Sequence, residues 1–100
     1  MTPGHIYLVE LPNGYVKVGR SAHRFDRLAA YATRDTELLA WSSPAFVGHR
    51  GAETHLIHAL AARFPAVPGT RETFAVDFRW AVGVARSMVR AVTLDNAFAA

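Results

Sequence analysis

Residues 5–31 read HIYLVELPNGYVKVGRSAHRFDRLAAY, and the fold turns on how this stretch divides. Two runs of strand-forming residues, 6–10 and 15–19, flank Leu11-Pro12-Asn13-Gly14. Asn13-Gly14 alone suits a two-residue type I′ loop. Pro12 instead fits the second position of a type I turn with Gly14 left-handed after it, a three-residue loop. A slip of one residue would send every side chain to the opposite face, so this choice fixes the rest. In the three-residue register Leu11 faces Tyr15, Val9 faces Lys17 and Tyr7 faces Gly19. Ile6, Leu8, Val16 and Val18 then form a core face. Tyr7, Tyr15 and Lys17 share the other, where Gly19 leaves the surface beside Tyr7 open.

Working outward, residues 21–34 have helical spacing. Phe25, Leu28, Ala29 and Ala32 make an apolar face, and Arg24, Arg27, Tyr31 and Arg34 form a stripe beside it. Ser21 is placed to cap this helix. A basic stripe with one tyrosine, following a hairpin whose open face carries Tyr7 and Lys17, reads as a phosphate-handling surface.

Residues 37–41 read as a third strand, ended or bent by Ser42-Ser43-Pro44, with residues 45–47 as a place where it resumes. A second helix is expected over about 52–64, stopping at Pro65. Leu56, Ile57, Leu60 and Phe64 form its apolar face, and Glu53 falls in the middle of that face. A carboxylate there is costly to bury without a partner. It is either a ligand pointing into a site or a first-turn residue serving the helix dipole or cap. His55 and His58 project to the other side and, without a third ligand nearby, read as a solvated face rather than a zinc site. Residues 72–76 can form a short last strand, and Asp77 is placed to cap a third helix over about 78–92. Phe78, Val82, Ala85, Val89 and Val92 point inward with Trp80, Val84 and Met88 flanking them. Arg79, Arg86 and Arg90 form an outer row. Residues 95–100 are expected to fray.

One hundred residues, 51% of them hydrophobic, suit a single globular domain with a modest core. The fold class that follows is α+β, a small antiparallel three-stranded sheet with a possible short extra strand and about three helices around it. There are no cysteines, which excludes disulfides and thiolate zinc sites. The net charge is only +3, yet all but one of the 11 basic residues are arginine. Arginine suits bidentate phosphate contact, although GC-rich coding produces the same bias. No apolar run approaches the roughly 20 residues of a membrane span, and no signal-peptide pattern opens the chain. A soluble cytoplasmic protein is expected.

The motifs, in order, resemble the GIY-YIG nuclease superfamily, especially its phage-type branch with Lys-Ile-Gly as second motif. Ile6-Tyr7 matches the first motif and Lys17-Val18-Gly19 the second. Arg27-Leu28 with Tyr31 one turn later matches the helix-borne arginine and following tyrosine. Glu53 falls where the family has its metal-binding glutamate, and Arg71-Glu72-Thr73-Phe74 resembles the branch's closing Arg-Glu-Trp-Phe. The resemblance covers residues 4–77. Three features depart from it: His5 stands where glycine is common, Lys17 replaces a tyrosine, and the family's late asparagine has no clear match.

This resemblance implies a hydrolase, a metal-dependent endonuclease cutting DNA phosphodiester bonds. Mg²⁺ or Mn²⁺ would sit on Glu53, Tyr7 would activate or orient the attacking water, and Lys17 would ease deprotonation or contact phosphate. Arg27 would stabilise phosphoryl charge, and Arg20, Arg24, Tyr31 and Arg34 would hold substrate. A non-catalytic nucleic-acid-binding or regulatory module with the same fold is the alternative. DNA is the expected partner and a membrane is not. A domain this small needs a homodimer or a separate DNA-recognition partner for strong sequence specificity.

Overall fold

Turn chemistry sets the hairpin. β1 (His5–Glu10) and β2 (Val16–Ser21) pair antiparallel, with Tyr7 opposite Gly19, Leu8 opposite Val18 and Val9 opposite Lys17. The Leu11 N–H donates to the Tyr15 carbonyl at 2.7 Å and the Gly14 N–H to the Leu11 carbonyl at 2.8 Å. Gly14 has φ 85°, and Asn13 Oδ1 accepts from the Tyr15 N–H at 3.0 Å. This is the three-residue loop, and the register follows from it. The computed structural model of the chain describes residues 2–22 and 39–99. The helix expected over 21–34 does not begin at Ser21, which ends β2. The rest of it from residue 23, with Arg24, Arg27, Tyr31 and Arg34, lies outside the described residues, as does the start of the expected third strand.

Among the described residues the sheet has four strands, the three expected and the short extra one, in the order β3-β1-β2-β4, all paired antiparallel. β3 (Ala40–Ser42) sets Ala40 against Val9 and Trp41 against Leu8. Residues 45–47 do not resume it as a strand; only an isolated bridge joins Phe46 to Gly4. β4 (Thr73–Phe74) is the short extra strand, and it pairs with Val16 and Lys17. Phe74 is fully buried, and a fully buried residue needs its backbone partnered. The edge of β2 supplies that pairing, while Val67 donates to the Thr73 carbonyl at 2.8 Å.

Among the described residues there are two helices. α1 (His49–Ala61) starts and stops three residues before the expected bounds of 52 and 64. Gly48 occupies its N-cap without a side-chain cap, so no Ser or Asp marked the start. Phe64 still donates to the Leu60 carbonyl at 2.7 Å, one more loose turn beyond the regular helix. α2 (Phe78–Ala99) begins as expected, with Asp77 Oδ2 accepting from the Trp80 N–H at 2.9 Å. It does not fray after Val92. Asn96 Nδ2 donates to the Val47 carbonyl at 2.9 Å, and Thr93 Oγ1 to Val89 at 2.8 Å, tying down the last turns.

Both helices pack on the same face of the sheet. Ile6, Leu8, Val16 and Val18 meet Leu56 and Leu60 from α1 and Ala81, Val82, Ala85 and Val89 from α2 in one core, as α+β patterning requires. No described helix is long and apolar enough to cross a membrane.

Candidate active site

Strand alternation divides β2 between two surfaces. Val16, Val18 and Arg20 share a face with Ile6 and Leu8, whereas Lys17 and Gly19 share the other with Tyr7 and Val9. Val16 and Val18 fill the core, but Arg20, next on that face and paired with Ile6, is exposed. Its Nε sits 3.2 Å from Glu53 Oε1 on α1. On the far face Lys17 Nζ lies 3.8 Å from Glu72 Oε1, just before β4. The Glu72 carbonyl accepts from the Val18 N–H at 2.8 Å, and no described strand continues along β2 beyond it. The two faces therefore meet around an open strand edge. They form a cleft of about 260 Å³ lined by Tyr7, Lys17, Val18, Gly19, Arg20, Glu53 and Glu72.

Tyr7 belongs to β1, one strand away from this edge, and reaches it across Gly19. A Cβ at Gly19 would overlap Cζ and Oη of Tyr7. The phenol thus lies over the glycine, and Tyr7 is only 4% exposed. The surface beside Tyr7 is not open, as the sequence suggested; the tyrosine's own ring fills it. Tyr7 and Lys17 do share one side of the hairpin, as the register requires.

Because α1 begins at His49, Glu53 falls in its second turn and the capping explanation no longer applies. Its side chain is 18% exposed and opens onto the cleft instead of lying sealed under Leu56 and Ile57. Burial pushes the Glu53 carboxyl above its ordinary range; the Arg20 guanidinium pulls it back, and Glu72 adds a further upward push. One turn earlier on the same helix, burial and then Arg20, Arg50 and His5 hold the His49 imidazole below its usual value. In the sequence His49 carried no reading of its own, and Glu72 stood only as part of the closing Arg71-Glu72-Thr73-Phe74 motif. The available signals were the four-residue offset from His49 to Glu53 and the step from Glu72 to a pairing strand. His55 and His58 are exposed, as a solvated face should be.

Mg²⁺ is commonly held by one or two carboxylates, with waters and substrate phosphate completing its shell. Glu53, with Glu72 close enough to perturb it, fits that mode. Among the described residues no three His, Cys, Asp or Glu side chains converge, and the Glu53 carboxylate is engaged by Arg20. Of the expected site residues, Tyr7, Lys17, Arg20 and Glu53 come together here. Arg24, Arg27, Tyr31 and Arg34 lie outside the described residues. Comparison with known protein families, curated proteins and solved structures returned no match to this chain.

Proposed function

We propose that this cleft is the active site of a metal-dependent endonuclease that hydrolyses DNA phosphodiester bonds, of the GIY-YIG type the motifs resemble. One observation carries the reading. A phenol, two cations and two carboxylates line a single small cleft although they come from both faces of the sheet and from α1. The volume suits a phosphodiester group better than a larger ligand. Lys17 and Arg20 balance Glu53 and Glu72, so the site is near neutral until a cation joins it.

Glu53, with Glu72 beside it, would hold Mg²⁺ or Mn²⁺, which supplies charge stabilisation at the scissile phosphate and its leaving oxygen. Arg20 then leaves the carboxylate and turns its guanidinium to phosphate, for which its planar fork is suited. The Tyr7 hydroxyl orients or activates the attacking water, and Lys17 eases that deprotonation or binds a phosphoryl oxygen. Arg27 stabilises the charge that grows on the phosphoryl group. The reading makes DNA the partner and the cytoplasm the setting. A non-catalytic DNA-binding module is the second reading, favoured by the two ion pairs that already satisfy both carboxylates.

The test is incubation of pure protein with plasmid DNA, with and without Mg²⁺ or Mn²⁺. Wild type should cut only when metal is added. Glu53→Gln keeps the volume but removes the charge, and should abolish cutting while preserving the fold and most DNA binding. Equal rates for the two proteins at saturating Mg²⁺ would sink the role of Glu53. A wild type that never cuts with either metal would put the binding module in its place.

A further inference from the structure

α2 carries a second apolar stripe beside its core face, with Val84 and Met88 on the margin packing partly against the core. Trp80, Val84, Ser87, Ala91, Leu94 and Phe98 recur at alternating steps of four and three, the a/d spacing of a coiled-coil heptad. Ala81, Val82, Ala85 and Val89 occupy the buried side. The seam is exposed: Trp80 is 36%, Leu94 51% and Phe98 87% accessible. Arg79, Trp80, Gly83, Val84, Ser87, Met88 and Ala91 line a shallow apolar groove along it. At its start the Trp80 indole is braced by Phe64, with ring centroids 5.3 Å apart, and by Arg63, 5.2 Å from the ring centre. At its end the Asn96 bond to Val47 keeps the last turns helical, so Leu94 and Phe98 stay on the same stripe.

We propose that this face pairs with the same face of a second copy, the two α2 helices running parallel about a two-fold axis. Charge decides both the occupant and the direction. With Val84, Ala91 and Phe98 at a and Trp80, Ser87 and Leu94 at d, Arg90 is a g residue and Asp95 the following e. Parallel two-stranded pairing sets g against the next e of the partner helix, so Arg90 meets the partner's Asp95, and the symmetry repeats the pair. Antiparallel pairing sets g against g and e against e. The g positions are Gly83, Arg90 and Ala97 and the e positions Ala81, Met88 and Asp95, so neither charge would find its opposite. Small residues at Gly83, Ser87 and Ala91 let the helix backbones approach where the large side chains are absent.

Sedimentation equilibrium on the intact chain tests this. The apparent mass should rise from one chain towards two as concentration increases to about 1 mM, where even a weak pair associates. Ala91→Arg alters an exposed residue at the seam's middle. It should leave the circular dichroism spectrum unchanged and keep the protein monomeric over the same range. The chain has no cysteines, so Ser87→Cys and Leu94→Cys can be introduced one at a time. A parallel pair sets each against its own copy, and both should form disulfide-linked dimers on mild oxidation. Arg90→Asp should weaken association, and adding Asp95→Arg to it should restore it. A monomeric wild type would overturn the proposal and leave the face to another occupant. A dimer indifferent to Ala91→Arg, or cross-linking at only one of the two cysteine positions, would overturn the interface or its direction.

Discussion

Glu53 is the residue on which the proposed site depends, and its protonation gives a test independent of any reaction. Burial raises its pKa in the folded protein, and the unfolded chain restores the ordinary value of 4.5. A raised carboxyl adds stability in full below the unfolded value, and that contribution is lost as pH rises through the folded one. Glu53→Gln stays neutral throughout. The melting temperature of Glu53→Gln minus that of wild type should therefore increase as pH rises from about 4.5 and level off once the folded carboxyl has ionised. A difference constant across that window would mean that the carboxylate is not desolvated. Glu53 was legible in the sequence because a charge amid Leu56, Ile57 and Leu60 demands a partner. That partner was less so. Arg20 stands near the end of a strand, and only the register shows that it leaves the core face beside α1.

Among the elements, the hairpin was the most legible, because Pro12, Asn13 and Gly14 each restrict the backbone in a way that together admits one loop. The helix ends were not. α1 starts at Gly48 with no side-chain cap, and the end of α2 is held by Val47, 49 positions from Asn96. The short pairing of β4 likewise rests on contacts between distant parts of the chain. The hairpin also carries a prediction, since the Tyr7 ring crosses β2 only because position 19 lacks a Cβ. Gly19→Ala must push the phenol aside in a packed environment. We expect a loss of about 1–3 kcal/mol in stability from overpacking, read from denaturant unfolding. Cleavage measured below the melting temperature should fall further than stability alone explains, because the displaced hydroxyl no longer reaches the cleft. A variant with wild-type stability and wild-type activity would show that the ring has room to move and that its place over Gly19 matters little.

At the scale of the whole molecule, charge separates binding from chemistry. The cleft itself is balanced, Lys17 and Arg20 against Glu53 and Glu72, so it cannot supply much of the attraction to a polyanion. If the chain binds DNA as proposed, its net charge of +3 acts through arginines elsewhere, and Arg24 and Arg34, expected from the sequence to share one stripe, adjoin the hairpin in sequence. Each phosphate contact releases condensed counterions, giving a steeper fall of affinity with salt. Arg24→Ala and Arg34→Ala should therefore weaken duplex binding on unrelated sequences alike. Each should flatten the logarithmic salt dependence by about one unit over roughly 50–200 mM salt. Fluorescence anisotropy with two short duplexes of different sequence measures both effects. Glu53→Gln, measured without divalent metal, should not flatten the slope, because its carboxylate makes no favourable contact with phosphate and its loss leaves Arg20 uncompensated. If instead the arginine variants bind with unchanged slope at low salt, DNA is held by some other surface. The row formed by Arg79, Arg86 and Arg90 on α2 would be the next to test.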